Sequence, residues 1–164
     1  GAGEVMVRDA RILEGVYLDA FIYPEAVLGA RESSLLHIRS GVVIRERDSF
    51  GSALLARLQR IYDDGPPRLP ADERRALVCW SQKMLERVRG KQGLEPDYRR
   101  MQLLVQAVED YFALRDVWFN GPKAAFAWFA EHDPSTHTLF ERAARPGASD
   151  DALTNLVRAV YGPA

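Results

Sequence analysis

The chain has 164 residues, 47% of them apolar and 27% charged, a balance that builds a packed core rather than a disordered tail and excludes two large independent domains. Its 22 basic and 23 acidic residues nearly cancel, so bulk charge gives no pull toward nucleic acid or anionic membrane, and an anionic ligand would need a local patch. A single cysteine, Cys79, excludes a disulfide framework, and with no apolar run of bilayer length and no signal-peptide pattern in Gly1-Ala2-Gly3-Glu4 the expected location is the cytoplasm, with Cys79 a buried filler.

The first fifty residues carry strand-like patterning. Val5, Met6 and Val7 are β-prone, Glu14-Gly15 suits a turn, and Val16 to Tyr23 alternates, which predicts a hairpin. In its second strand Val16, Leu18, Ala20 and Ile22 share one face, and Tyr17, Asp19, Phe21 and Tyr23 share the other. Pro24 stops that strand. Leu35 to Arg45, interrupted at Ser40-Gly41, is expected as a further strand on the strength of Val42, Val43 and Ile44.

From Ser49 the period becomes helical. Ser49 is expected to cap a helix carrying Leu54, Leu55, Leu58, Ile61 and Tyr62, which Asp64-Gly65-Pro66-Pro67 ends. A second helix is predicted from about Ala71 to Arg89, with Gly90 past its basic end, and a third from Pro96-Asp97 to Asn120-Gly121, carrying Met101, Leu104, Val105, Val108, Tyr111, Phe112 and Trp118. Pro122 starts a fourth with Phe126, Trp128 and Phe129. Asp133-Pro134 caps a fifth, and Ser149 a last one with Leu153, Leu156, Val157 and Val160 inward. The expected fold is α+β and mainly α: residues 1–48 a small antiparallel sheet, 49–67 a linking helix and loop, and 68–164 a helical bundle. Trp80, Trp118 and Trp128 are expected to wedge that bundle.

His37, His132 and His137 lack metal-ligand spacing, and the basic residues from Arg74 to Lys91 alternate with acids, so neither zinc nor nucleic acid is expected. The segment from Leu13 to Pro24, with Asp19 mid-strand, and the following Gly41 to Asp48 resemble the later strands of nucleotidyltransferases of the DNA polymerase beta superfamily. The run from Glu109 to Lys123, followed by Ala127-Trp128-Phe129, is similar to the C-terminal bundle of the kanamycin nucleotidyltransferase type and to HEPN domains.

That resemblance implies metal-dependent transfer of a nucleotidyl group from a nucleoside triphosphate to a hydroxyl-bearing acceptor such as an aminoglycoside. Asp19 would be the third carboxylate, a Mg2+ ligand, with Glu109 its catalytic partner and Asp110, Lys123 and Tyr17 binding substrate. Asp19 and Lys123 would face one concave surface. The family's pattern, a Gly-Ser motif followed by an Asp-x-Asp pair, does not occur in this sequence, so the chain alone is expected to be inactive. Two alternatives are a non-catalytic HEPN-like module, pairing with itself as a homodimer or with a separate minimal transferase, and a HEPN ribonuclease toxin. The ribonuclease reading is weakened because Arg115 is followed at the matching place by Asn120, not His.

Overall fold

The structure, a computed structural model, describes residues 6–162. Among the described residues a two-stranded antiparallel sheet precedes seven α-helices, an α+β fold that is mainly helical. The chain divides into two compact units, Gly1–Asp64 and Gly65–Ala164.

In the first unit β1 (Val7–Leu13) pairs with β2 (Val16–Ile22) in the register Val7↔Ile22 through Leu13↔Val16. Val5 lies outside the described residues. Glu14 and Gly15 both have positive φ, the geometry of a two-residue turn whose twist matches that of the strands. Glycine is the residue that adopts it without cost. Arg8, Ala10, Ile12, Tyr17, Asp19 and Phe21 therefore share one face.

A short helix α1 (Glu25–Leu28) leads into a 3-10 helix over Gly29–Ile38, where the sequence pattern predicts the start of a strand. The strand over Leu35–Arg45 does not form. Leu35 and Leu36 are buried by the 3-10 turns, whereas Val42 and Ile44 are 87% and 97% exposed and have no ladder to join. A β-branched run is only a strand when a neighbour satisfies its backbone. Gly41 closes the 3-10 segment by donating its N–H to the Ile38 carbonyl at 2.8 Å, and a Cβ there would lie 2.9 Å from that oxygen.

Helix α2 (Phe50–Asp63) buries Leu54 and Leu58 and packs on the 3-10 segment, so the helix expected as a linker belongs to the first unit. Its cap also differs from expectation. Ser49 is left-handed and its side chain caps nothing; instead the Glu46 carboxylate accepts from the Ser52 N–H at 2.8 Å and the Ser52 hydroxyl at 2.7 Å. An anion at the positive end of the helix satisfies the same orphan donors.

The second unit is a bundle of α3 (Ala71–Val88), α4 (Leu94–Ala113), α5 (Pro122–His132), α6 (Pro134–Ala143) and α7 (Asp150–Tyr161). Helix α3 packs on α4 and α7, and α6 on both α5 and α7. Asp133 and Ser149 cap α6 and α7 through the N–H groups of Thr136 and Ala152, as their sequence positions predict. The expected inward face of α7, Leu153, Leu156, Val157 and Val160, is buried.

Helix α4 stops seven residues short of the expected Asn120. Asp116 turns left-handed, the Val117 N–H returns to the Phe112 carbonyl, and the Asp116 carboxylate takes the Leu69 N–H at 3.3 Å and Arg74 at 3.0 Å. Those bonds end the helix without a proline. Cys79 is exposed on α3, not a buried filler, because that helix turns its Ser81, Met84 and Val88 stripe inward instead.

Asp110 lies in this core. Its two oxygens accept from Gln106 at 2.8 Å and from the Tyr161 hydroxyl at 2.6 Å, tying α4 to the end of α7. Burial, reinforced by that hydrogen bond and by the carboxylate charge, pushes the Tyr161 phenol far above its usual 10. Tyr161→Phe should destabilise the protein by about 1–3 kcal/mol, because it leaves a buried carboxylate oxygen unpaired. A raised folded pKa means the stabilisation is complete below the unfolded value. Urea unfolding should therefore show a difference between wild type and Y161F that is constant from neutral pH to about 10 and narrows above it, where the unfolded phenol ionises.

Candidate functional site

The residues singled out by sequence fall in two places. Asp19 and Tyr17 belong to the hairpin of the first unit, and Glu109, Asp110 and Lys123 belong to the second.

On the hairpin, Asp19 sits mid-strand opposite Ala10. Arg8, one position away on the same face, grips it with both arms: Nε donates to Oδ1 at 2.7 Å and Nη2 to Oδ2 at 3.0 Å, while the guanidinium lies 5.4 Å from the Phe21 ring centre. That hydrogen bonding holds the Asp19 carboxyl below its ordinary range and keeps it ionised. Magnesium, which the resemblance implies, needs several converging oxygen ligands. Among the described residues no three His, Cys, Asp or Glu side chains come together, and Arg8 takes both oxygens of Asp19, so these residues alone do not make a magnesium site.

In the bundle, α4, α5 and α6 enclose an open cleft of about 460 Å³, within the range of small-molecule sites. Leu104 and Val108 from α4, Phe119 before α5, Phe126 from α5 and Phe140 from α6 make its floor. Glu109, His137 and Glu141 stand at its rim. Helical spacing explains the arrangement. Leu104 and Val108 are one ridge and Val105 and Glu109 the next, four residues apart, while His137, Phe140 and Glu141 form one stripe of α6 that its C-cap residue Ala144 continues. Val105, expected in the core, is 68% exposed because its stripe lines this cleft.

Only Glu109 of the three expected bundle residues lines the cleft. Asp110, one residue on, is turned 100° about the helix into the core, and Lys123, the second residue of α5, is exposed beside the lining residue Pro122. His137 and Glu141 were missed by sequence reasoning. Beside the helix start at Pro134 the sequence suggests a capping or surface role for His137, and the stripe it shares with Phe140 and Glu141 is the one signal that points to the cleft.

The walls are fixed to each other by a hydrogen bond. The Tyr111 hydroxyl of α4 donates to Asp133 Oδ2 at 2.7 Å, and Asp133 Oδ1 caps α6 through the Thr136 N–H at 3.0 Å and takes the Ser135 hydroxyl at 2.6 Å. Burial works to raise the Asp133 pKa, but the bonds from Ser135, Thr136 and Tyr111 prevail and hold it far below the carboxylate range. The Tyr111 phenol is pushed up to about 12, chiefly by burial and then by Asp133. Arg115 covers the Tyr111 ring at 3.6 Å, and its guanidinium donates to the Ala159 and Val160 carbonyls, closing the C-terminal end of α7.

No family profile, curated protein sequence or solved structure matches this chain.

Asp133→Ala removes both a helix cap and a buried hydroxyl's partner, so an overall loss of about 1–3 kcal/mol is expected. A depressed folded pKa gives stability that is present above the unfolded value near 3.8 and is lost as pH falls toward the folded one. Denaturation of wild type and D133A should show a constant gap above about pH 5 that shrinks only below the ordinary carboxylate range.

Proposed function

We propose that this chain forms the later strands and the acceptor-binding bundle of a nucleotidyltransferase-like protein, in which a nucleotidyl group passes from a nucleoside triphosphate to a small acceptor. The observation that carries this reading is Asp19: an ionised carboxylate at the centre of an antiparallel strand, between Tyr17 and Phe21 on its face, on a hairpin whose apolar side chains are exposed on both sides. A two-stranded hairpin is marginal by itself, and a carboxylate displayed mid-strand suits a larger sheet in which further carboxylates converge. Magnesium would then need ligands from outside the described residues. The cleft beside Glu109 supports the acceptor-binding part of this reading.

A second reading has support from the same hairpin: a non-catalytic module whose exposed Ile12, Val16 and Ile22 are covered by a second copy or by a separate minimal transferase. The ribonuclease reading has least support, since the Arg115 guanidinium is spent on α7 carbonyls.

Incubated with magnesium, labelled nucleoside triphosphates and an aminoglycoside panel, this chain alone should give no nucleotidylated product. Joined to a segment bearing the Gly-Ser and Asp-x-Asp motifs it should give product, and Asp19→Asn in the joined form should lower turnover roughly 10²–10⁴-fold. Product from this chain alone, or undiminished turnover by joined D19N, overturns the reading. If the module reading holds instead, sedimentation shows a dimer of this chain that Ile12→Lys with Val16→Lys dissociates.

A further inference from the structure

We infer that the cleft between α4, α5 and α6 binds a small amphipathic organic cation, an apolar body carrying a protonated amine. Its floor offers Leu104, Val108, Phe119, Phe126 and Phe140 and almost no polar surface, so a ligand rich in hydroxyls would give up its water there without compensation. A ligand with an aromatic or aliphatic body gains from the same burial.

The rim sets the charge. Glu109 stands on the α4 wall and Glu141 on the α6 wall, and among the described residues neither has an ion-pair or hydrogen-bond partner. This separates them from Asp110, Asp116, Asp133 and Asp150, each of which is held by donors of the fold. The remaining ionisable lining residue is His137, one imidazole against two carboxylates, so the rim is net negative. Carboxylates set against apolar surface attract a cation more strongly than they would in open water. Lys123 follows Pro122 at the edge but does not line the cleft.

The inference rests on the acceptor-binding reading and names the part of an acceptor that the cleft holds, a cationic apolar segment, and it departs from the polar, hydroxyl-rich acceptor that the resemblance implies. It is tested by binding to this chain, with no turnover required, so it and the transferase reading fail separately.

Calorimetric titration should show 4-phenylbutylamine binding one to one and about fivefold more tightly than 4-phenylbutan-1-ol, the factor that a partly exposed charge pair supplies. The E109Q/E141Q double variant should bring the amine down to the alcohol's affinity and leave the alcohol unchanged. Both residues are exposed and unpartnered, so the variant should melt with wild type, which circular dichroism checks. Equal affinity for amine and alcohol overturns the inference, as does kanamycin binding more tightly than 4-phenylbutylamine. Binding of a Leu/Lys amphipathic helical peptide with no binding of the amine also overturns it, and marks the cleft as a protein-docking groove.

Discussion

Tyr111 and Asp133 meet across the bundle, and much of the second unit depends on that one hydrogen bond and the rings around it. The Tyr111 ring is buried edge-to-face against Phe129 at 4.7 Å and against Phe112 at 5.4 Å, beneath the Arg115 guanidinium. Such pairs contribute roughly 0.5–1.5 kcal/mol each beyond the area they bury. Phe112 in turn contacts Phe119, Trp128 and Phe129, so the tryptophan expected as a wedge on α5 acts as one. A phenol in that setting must find an acceptor, and the acceptor it finds is the residue that starts α6. The aromatic cluster that holds α5 and the cap that starts α6 thus set the distance between the cleft's walls.

The acids of the bundle divide by what they do. Asp116 ends α4, Asp133 begins α6, Asp110 ties α4 to α7, and Asp150 accepts from the Gly90 N–H and Arg100 at the start of α7. Each replaces water as the partner of a backbone or side-chain donor, so each belongs to the fold. Glu109 and Glu141 take no part in this network. A carboxylate without a partner beside apolar surface is a place where the fold leaves electrostatic work undone, and in the cleft that work falls to a ligand.

The hairpin raises the opposite problem. Val7, Ile12, Leu13, Val16 and Ile22 are all more than half exposed, and they lie on both faces of a two-stranded ribbon. Its inner order comes from the turn and from the Arg8–Asp19 pair, which is exposed and therefore contributes little stability. Apolar faces of this kind are most stable when a further strand or layer covers them.

The amino-acid pattern by itself determined the class of fold, the Glu14-Gly15 hairpin, the start of α6 at Asp133-Pro134 and of α7 at Ser149, and the buried stripe of α7, because caps, turns and amphipathic spacing are local physics. It also placed Asp19 mid-strand. Tertiary structure decided the rest. Val42 to Ile44 are not a strand, since a ladder needs a partner that the local pattern cannot supply; α4 ends at Ala113 because Arg74 and Leu69, some forty residues earlier, hold Asp116. Glu109 and Asp110 are adjacent acids with the same composition-level promise, yet one rims a cleft and the other is locked to Tyr161. Which of two neighbours on a helix faces a ligand depends on where the other helices pack, and that is set by contacts distant in sequence.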